Sequence, residues 1–179
     1  MQAGNKVYVG GAGIISAIGN NIAECIASLE KSNTGIGEMQ HLASLHKKIL
    51  PVAEVKANNK MLAGMAQLSV NTTRTALLGT IAAREALKNA GMEDFNGLRA
   101  GLVSANSVGG MDKTEDFFTL FLKDNAAGRL RHVVNHECGS VTKIMAAALG
   151  IKGFITTIST ACSSSANAVF FGARLIKNN

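Results

Sequence analysis

The stretch from Phe154 to Ile176 constrains the fold more than any other part of the sequence. It begins with a β-branched, partly alternating run, Phe154 to Thr160, which is typical of a buried strand. From Ser163 onward it is rich in Ala, with larger apolar residues at helical spacing, which predicts a helix. Cys162 lies at the junction. The pattern therefore predicts a strand, a sharp turn and a helix, with a thiol in the turn.

A thiol at this junction faces unpaired backbone N–H groups and the positive end of the helix dipole. Both favour the thiolate, which is the nucleophilic form of cysteine. Ala161 and the serines at 163–165 are small and leave room for a substrate carbonyl to reach the sulfur of Cys162. A lone cysteine near a helix start is more often a small buried hydrophobic residue. The residues alone leave the catalytic and the structural role open.

Composition bounds the class of protein. The 179 residues suit one domain, and a hydrophobic content of 47% is enough for a substantial core. No apolar run is long enough to span a membrane, and the N-terminus lacks the apolar region of a signal peptide. The three cysteines are widely spaced and make no disulfide framework. We therefore expect a cytoplasmic protein. The net charge of +6 is distributed rather than clustered, which disfavours nucleic acid and is compatible with an acidic protein partner.

Strand and helix patterns alternate along the chain. Besides the stretch already described, the sequence predicts strands over 6–9, 49–55 and 99–105, and helices over 22–32, 71–90, 111–122 and 141–149, with 57–68 ambiguous. Asn20 and Asn21 are suitable N-caps, Cys25 belongs to an apolar helix face, and Ser140 is the expected cap of the helix over 141–149. This alternation predicts an α/β sheet with helices on both faces.

Two glycine motifs and one pair of histidines leave alternatives open. Gly11 and Gly13 suggest a dinucleotide site, but a third glycine is absent where Ser16 stands, so a tight strand-to-helix connection is the competing interpretation. Gly109 and Gly110 precede a Phe-rich helix that is either core or the wall of a pocket at a strand end. His132 and His136 have helical spacing with Cys138 nearby, yet no further ligand is evident, and we predict no metal and no cofactor.

Several segments together resemble the N-terminal half of the β-ketoacyl-acyl carrier protein synthases, the elongating condensing enzymes of the thiolase-like superfamily. The similar segments are VYVGGAGIISAIGNNIAECIASLEKSNTGI, AAREALKNAG, the strand ending in Gly109–Gly110, ALGIKG and STACSSSANAVFFGARLI. The resemblance runs along essentially the whole chain, and the motif around Cys162 is its specific part.

The resemblance implies the N-terminal half of a thiolase-like layered fold, with a mixed, mostly parallel sheet flanked by helices, in one domain over 1–179. It implies that Cys162 accepts an acyl group from an acyl carrier protein for decarboxylative Claisen condensation with a malonyl thioester, in fatty acid or polyketide synthesis, within a homodimer. The substrate-binding residues that it implies are Val108, Gly109, Gly110, Met111, Thr114, His132, Val133 and Ser163.

The family also uses two histidines and a second oxyanion N–H from its C-terminal half, and none of the four histidines here matches those motifs. We therefore expect the first half of a longer protein, truncated after the nucleophile helix, inactive alone and with an uncovered apolar face. The alternatives are a non-catalytic fragment that dimerises or docks a carrier protein and, on the incomplete glycine motif, a nucleotide-binding α/β protein.

Overall fold

A computed structural model describes residues 6–92 and 94–178 of the chain. The elements are α1 (Ile22–Glu30), α2 (Asn59–Ala66), α3 (Arg74–Asn89), β1 (Leu102–Ala105), α4 (Met111–Phe121), α5 (Arg131–Val134), α6 (Cys138–Leu149), β2 (Ile155–Ile158), a 3-10 helix (Ala161–Ser163) and α7 (Ser164–Lys177). None of the helices within these ranges is long and apolar enough to cross a membrane.

The chain separates into two compact units. The first, here the sheet unit, contains the described residues up to Val9, residues 73–76, and the chain from Asp94 onward. The second, here the helical unit, contains Gly10–Thr72 and the described residues from Leu77 to Met92.

The sheet unit is built on two parallel strands with helices on both faces. Leu102 pairs with Ile155 and Ala105 with Ile158, so both strands end at the same edge of the sheet. Helix α6 packs on one face through Thr142, whose hydroxyl lies 2.7 Å from that of Ser104 in β1 and also contacts the hydroxyl of Thr157 in β2.

On the other face of the sheet lies α7. Phe171 of this helix contacts Phe154, with 6.1 Å between the ring centroids. Side chains alternate between the two faces along a strand, and Phe154 lies three residues before Thr157. The two side chains therefore point to opposite faces of the sheet. Two-sided covering is the arrangement expected for parallel strands.

The helical unit has its core where α2 meets α3. The buried residues of this cluster are small or aliphatic: Ala57, Leu62, Ala63, Ala66, Leu77 and Ile81. Asparagine side chains cap two of the helices, since Asn21 accepts from the N–H of Glu24 and Asn58 from that of Met61. Capping explains why these helices begin where they do.

The first glycine turn of the helical unit, residues 11–19, rests on α3. A Cβ added to Gly13 would lie 2.0 Å from the carbonyl oxygen of Ala82, and one added to Gly11 would lie 2.2 Å from that of Ala86. Such close backbone approach admits only glycine. It accounts for the Gly-x-Gly motif as a tight connection, without a nucleotide.

Several boundaries differ from the predictions. Residues 6–9 form no strand, because none of the described residues pairs with them and Tyr8 and Val9 are largely exposed. The strand over 49–55 is reduced to one bridge between Val52 and Gly37. The ambiguous segment contains α2, and α6 begins at Cys138, earlier than a cap at Ser140 would place it. The predictions for α1, α3, α4, α7, β1 and β2 are confirmed within a few residues.

Candidate active site around Cys162

Cys162 lies in the short segment that joins β2 to α7, as predicted. This elbow, defined here as residues 159–164, contains a 3-10 turn with Cys162 at its centre and its side chain exposed. The preceding residue, Ala161, has a φ of 49°. A left-handed conformation costs an L-residue about 1–2 kcal/mol, so the surroundings must hold the elbow in place.

Ser164 provides the inner support of the elbow. Its buried hydroxyl accepts a hydrogen bond from the backbone N–H of Thr160 at 2.8 Å. The same hydroxyl donates to the carbonyl of Ala161 at 2.7 Å, which ties it to the residue with the left-handed backbone. Ser164 thus joins the two residues that precede Cys162.

The outer support consists of Thr160, Ser163 and Asn167. The Ser163 hydroxyl lies 2.9 Å from the carbonyl oxygen of Thr160 and 3.1 Å from its hydroxyl. The side-chain amide of Asn167 donates to Oγ1 of Thr160 at 2.9 Å and to Oγ of Ser163 at 3.2 Å. These contacts lie on both sides of Cys162 in the sequence.

The N-terminus of α7 carries no side-chain cap. Ser163 occupies the N-cap position, yet its hydroxyl makes no capping hydrogen bond. The N–H of Ser164 donates to the carbonyl of Ala161 in the preceding 3-10 turn, and the N-terminal end of the helix dipole attracts negative charge. The local electrostatics therefore suit an anionic sulfur or oxygen beside Cys162.

The end of β1 lies at the same edge of the sheet as the elbow. The backbone N–H of Asn106 donates to the carbonyl of Ile158 at 3.2 Å. The segment after β1 and the elbow after β2 therefore begin next to each other. The Asn106 side-chain oxygen accepts from the N–H groups of Val108 (2.9 Å) and Gly109 (3.1 Å), which forms a tight turn.

The pair Gly109–Gly110 packs against the segment before α6. A Cβ on Gly109 would lie 1.9 Å from the carbonyl oxygen of His136, and one on Gly110 would lie 2.2 Å from that of Asn135. The N–H of Gly110 donates to the His136 carbonyl at 3.1 Å. Buried Thr114 approaches the same residue, with its hydroxyl 2.9 Å from His136 Nδ1.

The predicted substrate-binding residues thus fall into two groups. Val108, Gly109, Gly110, Met111 and Thr114 surround the end of β1, with Val108 and Met111 exposed and Thr114 buried. Ser163 lies in the elbow, whereas His132 and Val133 belong to α5, which packs against α4. Within the described residues, no hydrogen bond joins the first group to Cys162.

The histidine pair does not form a helical metal site. Helix α5 ends at Val134, so His136 lies beyond it and contacts Thr114. Nδ1 of His132 is buried without a hydrogen-bond partner in the part of the chain that the structure describes. In that same part, no group of three His, Cys, Asp or Glu side chains is arranged to hold a metal ion.

Sequence reasoning missed the residues that support the elbow. Thr160 and Asn167 were not singled out, and Ser164 was noted only for its small size, although short polar side chains near a helix start commonly bond the neighbouring backbone. The spacing of Thr160, Ser163, Ser164 and Asn167 was the available signal. The other two cysteines are free, and Cys25 is buried on α1, as predicted.

Comparison with known proteins identifies the type of domain. Residues 4–179 match the family model described as "Beta-ketoacyl synthase, N-terminal domain". Nodulation protein E of Rhizobium meliloti (strain 1021) is 26% identical over 175 residues, which cover 96% of this chain and 43% of that protein. The chain thus spans less than half the length of this relative.

Solved structures show the same fold. The ishigamide ketosynthase/chain length factor superposes with a TM-score of 0.84 at 20% identity, over 98% of this chain and 45% of the other. A β-ketoacyl synthase from Burkholderia phymatum STM815 gives a TM-score of 0.70 at 19% identity, over 94% and 42%. A chain from the complex of a type II polyketide synthase acyl-carrier protein with its ketosynthase gives a TM-score of 0.70 at 19% identity, over 98% of this chain and 49% of the other. The predicted family and the N-terminal half of a thiolase-like fold are confirmed.

Proposed function

This chain belongs to the β-ketoacyl synthase family, and we propose that it provides the nucleophile of a condensing acyltransferase. Cys162 accepts an acyl group from the thioester of an acyl carrier protein. The observation that carries this proposal is the exposed thiol in a strained turn, at a helix N-terminus without a side-chain cap. A cysteine with a purely structural role in the core has no need of an exposed thiol or of a neighbouring residue with a left-handed backbone.

The first chemical step is thioester exchange. The Cys162 thiolate attacks the carbonyl carbon, a new S–C bond forms, and negative charge develops on the carbonyl oxygen. The backbone N–H of Cys162 is the oxyanion donor that we assign. The intermediate then expels the carrier thiolate, which takes up a proton, and leaves the acyl group on Cys162.

The second step is condensation with a malonyl thioester. Loss of CO₂ gives a carbanion, which attacks the acyl-cysteine carbonyl and releases the thiolate as the new C–C bond forms. We assign none of the four histidines of this chain to decarboxylation. We therefore propose the complete reaction for a protein of the length of the relatives, with this domain contributing the acyl-enzyme step.

We propose that the residues after β1 and those of α5 bind the acyl chain, in a fatty acid or polyketide pathway of the cytoplasm. The exposed apolar side chains of Val108, Met111 and Val133 support this assignment. Gly109 and Gly110 shape the turn, and Thr114, His132 and Ser163 offer polar atoms beside it. The partners are an acyl carrier protein and a second copy of the chain, and the reaction needs no cofactor.

The proposal is tested by acylation of the purified chain with an acyl-pantetheine thioester and location of the adduct by mass spectrometry. We expect the adduct on Cys162, no adduct in Cys162→Ala, and unchanged labelling in Cys25→Ala. Acylation spread evenly over Cys25, Cys138 and Cys162 would contradict the proposal.

A second candidate function is a non-catalytic domain that dimerises or docks a carrier protein. The observation that favours it is the apolar stripe of α7, where Val169, Phe170 and Ile176 are 74%, 62% and 62% exposed. If this candidate is right, Val169→Asp disrupts association in analytical ultracentrifugation, whereas Cys162→Ala changes no measured property.

A further inference from the structure

Asn167 reaches back over the turn that carries the nucleophile. It lies four residues after Ser163, so its side chain falls above the first turn of α7. Its side-chain nitrogen, Nδ2, donates to Thr160 Oγ1 at 2.9 Å and to Ser163 Oγ at 3.2 Å. The two acceptors lie two residues before and one residue after Cys162. A single carboxamide therefore joins both sides of the nucleophile turn.

The Ser163 hydroxyl does not cap α7. A serine at an N-cap ordinarily accepts a hydrogen bond from the second or third N–H of its helix. Here the Ser163 hydroxyl makes no capping bond and lies 2.9 Å from the carbonyl of Thr160, while it accepts from Asn167. Ser163 has a helical backbone, with φ −92° and ψ 0°, rather than the extended backbone of a capping serine, and the contact with Asn167 gives its hydroxyl a different donor. The N-terminus of α7 therefore has no side-chain cap, and the helix dipole favours negative charge at Cys162.

We propose that Asn167 is a positioning residue for Cys162. It fixes the 3-10 turn that carries Cys162 by joining Thr160 to Ser163. The inference rests on the proposed function of Cys162, and it requires no contact between Asn167 and a substrate. Because Asn167 is exposed and lies outside the buried core, its loss affects the reactivity of Cys162 more than the stability of the fold.

The test compares Asn167→Ala and Asn167→Asp with Ser165→Ala, an exposed residue on the same helical turn. Rates of Cys162 acylation by acyl-pantetheine and of alkylation by iodoacetamide are measured beside thermal unfolding. We expect Asn167→Ala to slow acylation about tenfold, the equivalent of one hydrogen bond of about 1.4 kcal/mol. Alkylation needs no oxyanion geometry and falls less. Ser165→Ala retains both rates.

Asn167→Asp distinguishes the hydrogen bonds that the Asn167 side chain donates from the space that it fills. Asp has the shape of Asn but no N–H, and its charge near a helix N-terminus favours stability. We expect its acylation rate to fall at least as far as in Asn167→Ala without a lower melting temperature. Acylation within twofold of the parent chain in either variant, or an equal loss in Ser165→Ala, overturns the proposal.

Amide hydrogen exchange keeps the two proposals distinguishable. If the parent chain is not acylated by the thioester, the proposed function fails, and Asn167 is judged on exchange and alkylation instead. We expect faster exchange over residues 160–164 and slower Cys162 alkylation in Asn167→Ala, with no change in either for Ser165→Ala. Unchanged exchange over this segment overturns the positioning role, whatever the acylation result.

Discussion

Two glycine turns in this chain share a steric cause and differ in their chemical surroundings. A Cβ on Gly13 would lie 2.0 Å from a helix carbonyl, and one on Gly109 would lie 1.9 Å from the carbonyl of His136. Only Gly109 has a positive φ, of 64°. In both turns the glycine is required because one backbone presses on another.

The surroundings assign the two turns to different roles. The first rests on the backbone of α3 and is held by the carboxylate of Glu85, which accepts from the N–H groups of Ile14 and Ile22 at 2.8 Å each. The second follows a strand, at the sheet edge that also carries Cys162, and is surrounded by the polar side chains of Asn106, Thr114 and His136. A glycine motif therefore signals close backbone approach, and the neighbouring side chains decide between scaffold and site.

The largest expected effect comes from adding one methyl group to either turn. Gly109→Ala combines overpacking with a left-handed backbone, and we expect it to lower the free energy of unfolding by about 3–4 kcal/mol. Gly13→Ala has the clash alone, and we expect a loss of about 2–3 kcal/mol. Urea denaturation followed by circular dichroism measures both.

Gly64→Ala is the matched control for these two variants. Gly64 lies within α2 and has no atom within 4 Å of an added Cβ, so alanine should stabilise by about 0.5–1 kcal/mol. If Gly13→Ala behaved like Gly64→Ala, the account of the first turn as a steric contact would be wrong. Only Gly109→Ala should also change the alkylation rate of Cys162.

Glu85→Ala tests how the first turn is held. It removes the acceptor for two backbone N–H groups that lie 71 and 63 residues away in sequence. Hydrogen bonds to charged groups contribute about 1.5–3 kcal/mol each when buried, and partial exposure reduces this, so we expect a loss of about 2 kcal/mol. Glu85→Gln keeps one acceptor and should lose about half as much. Equal stability of all three proteins in urea would contradict this role.

Local sequence patterns predicted the helices better than the strands. Caps and helical periodicity lie within one segment, so α1 with Asn21 and α3 before Gly91 could be inferred directly. A strand depends on a partner distant in sequence, and β-propensity describes a half-buried surface rather than a pairing. The segments 6–9 and 49–55 have that propensity, yet no described residue pairs with the first, and the second has a single bridge.

The site was predictable only in part for the same reason. The position of the thiol at the start of α7 could be predicted, because the strand pattern changes to a helix pattern at Cys162. The packing of His136 on Gly109 joins residues 27 positions apart, and no periodicity in the sequence reports it. Asn167 was within reach of local rules, because its partners lie only seven and four residues away.

His136→Phe tests how the second turn is held. It removes the contact between Nδ1 and the buried Thr114 hydroxyl, which keeps only its 3.4 Å hydrogen bond to the Gly110 carbonyl, and we expect stability to fall by about 1 kcal/mol. His136→Asn can place a polar atom near the Nδ1 position and should recover part of this. We expect faster amide exchange over residues 108–114 in His136→Phe, with residues 11–19 unchanged. His46→Asn, at an exposed position, is the control.

The smallest effect expected is an acid sensitivity confined to the first turn. The backbone N–H of Asn20 lowers the pKa of Glu24 below its ordinary value of 4.5; desolvation opposes this, and the side-chain amides of Asn21 and Asn20 add to it. Because the folded pKa is lower than the unfolded one, the contribution of Glu24 is complete above about pH 4.5 and is lost as the pH falls through the folded pKa. Amide exchange at Asn20 should therefore accelerate below that range, after correction for the intrinsic rate, and in Glu24→Gln it should be fast at both pH values. The hydrogen bonds described above for the second turn involve no carboxylate, so residues 106–110 should show no transition that matches the one at Glu24. A shared transition in both turns would mean that acid loosens the whole fold rather than the carboxylate contacts of the first turn.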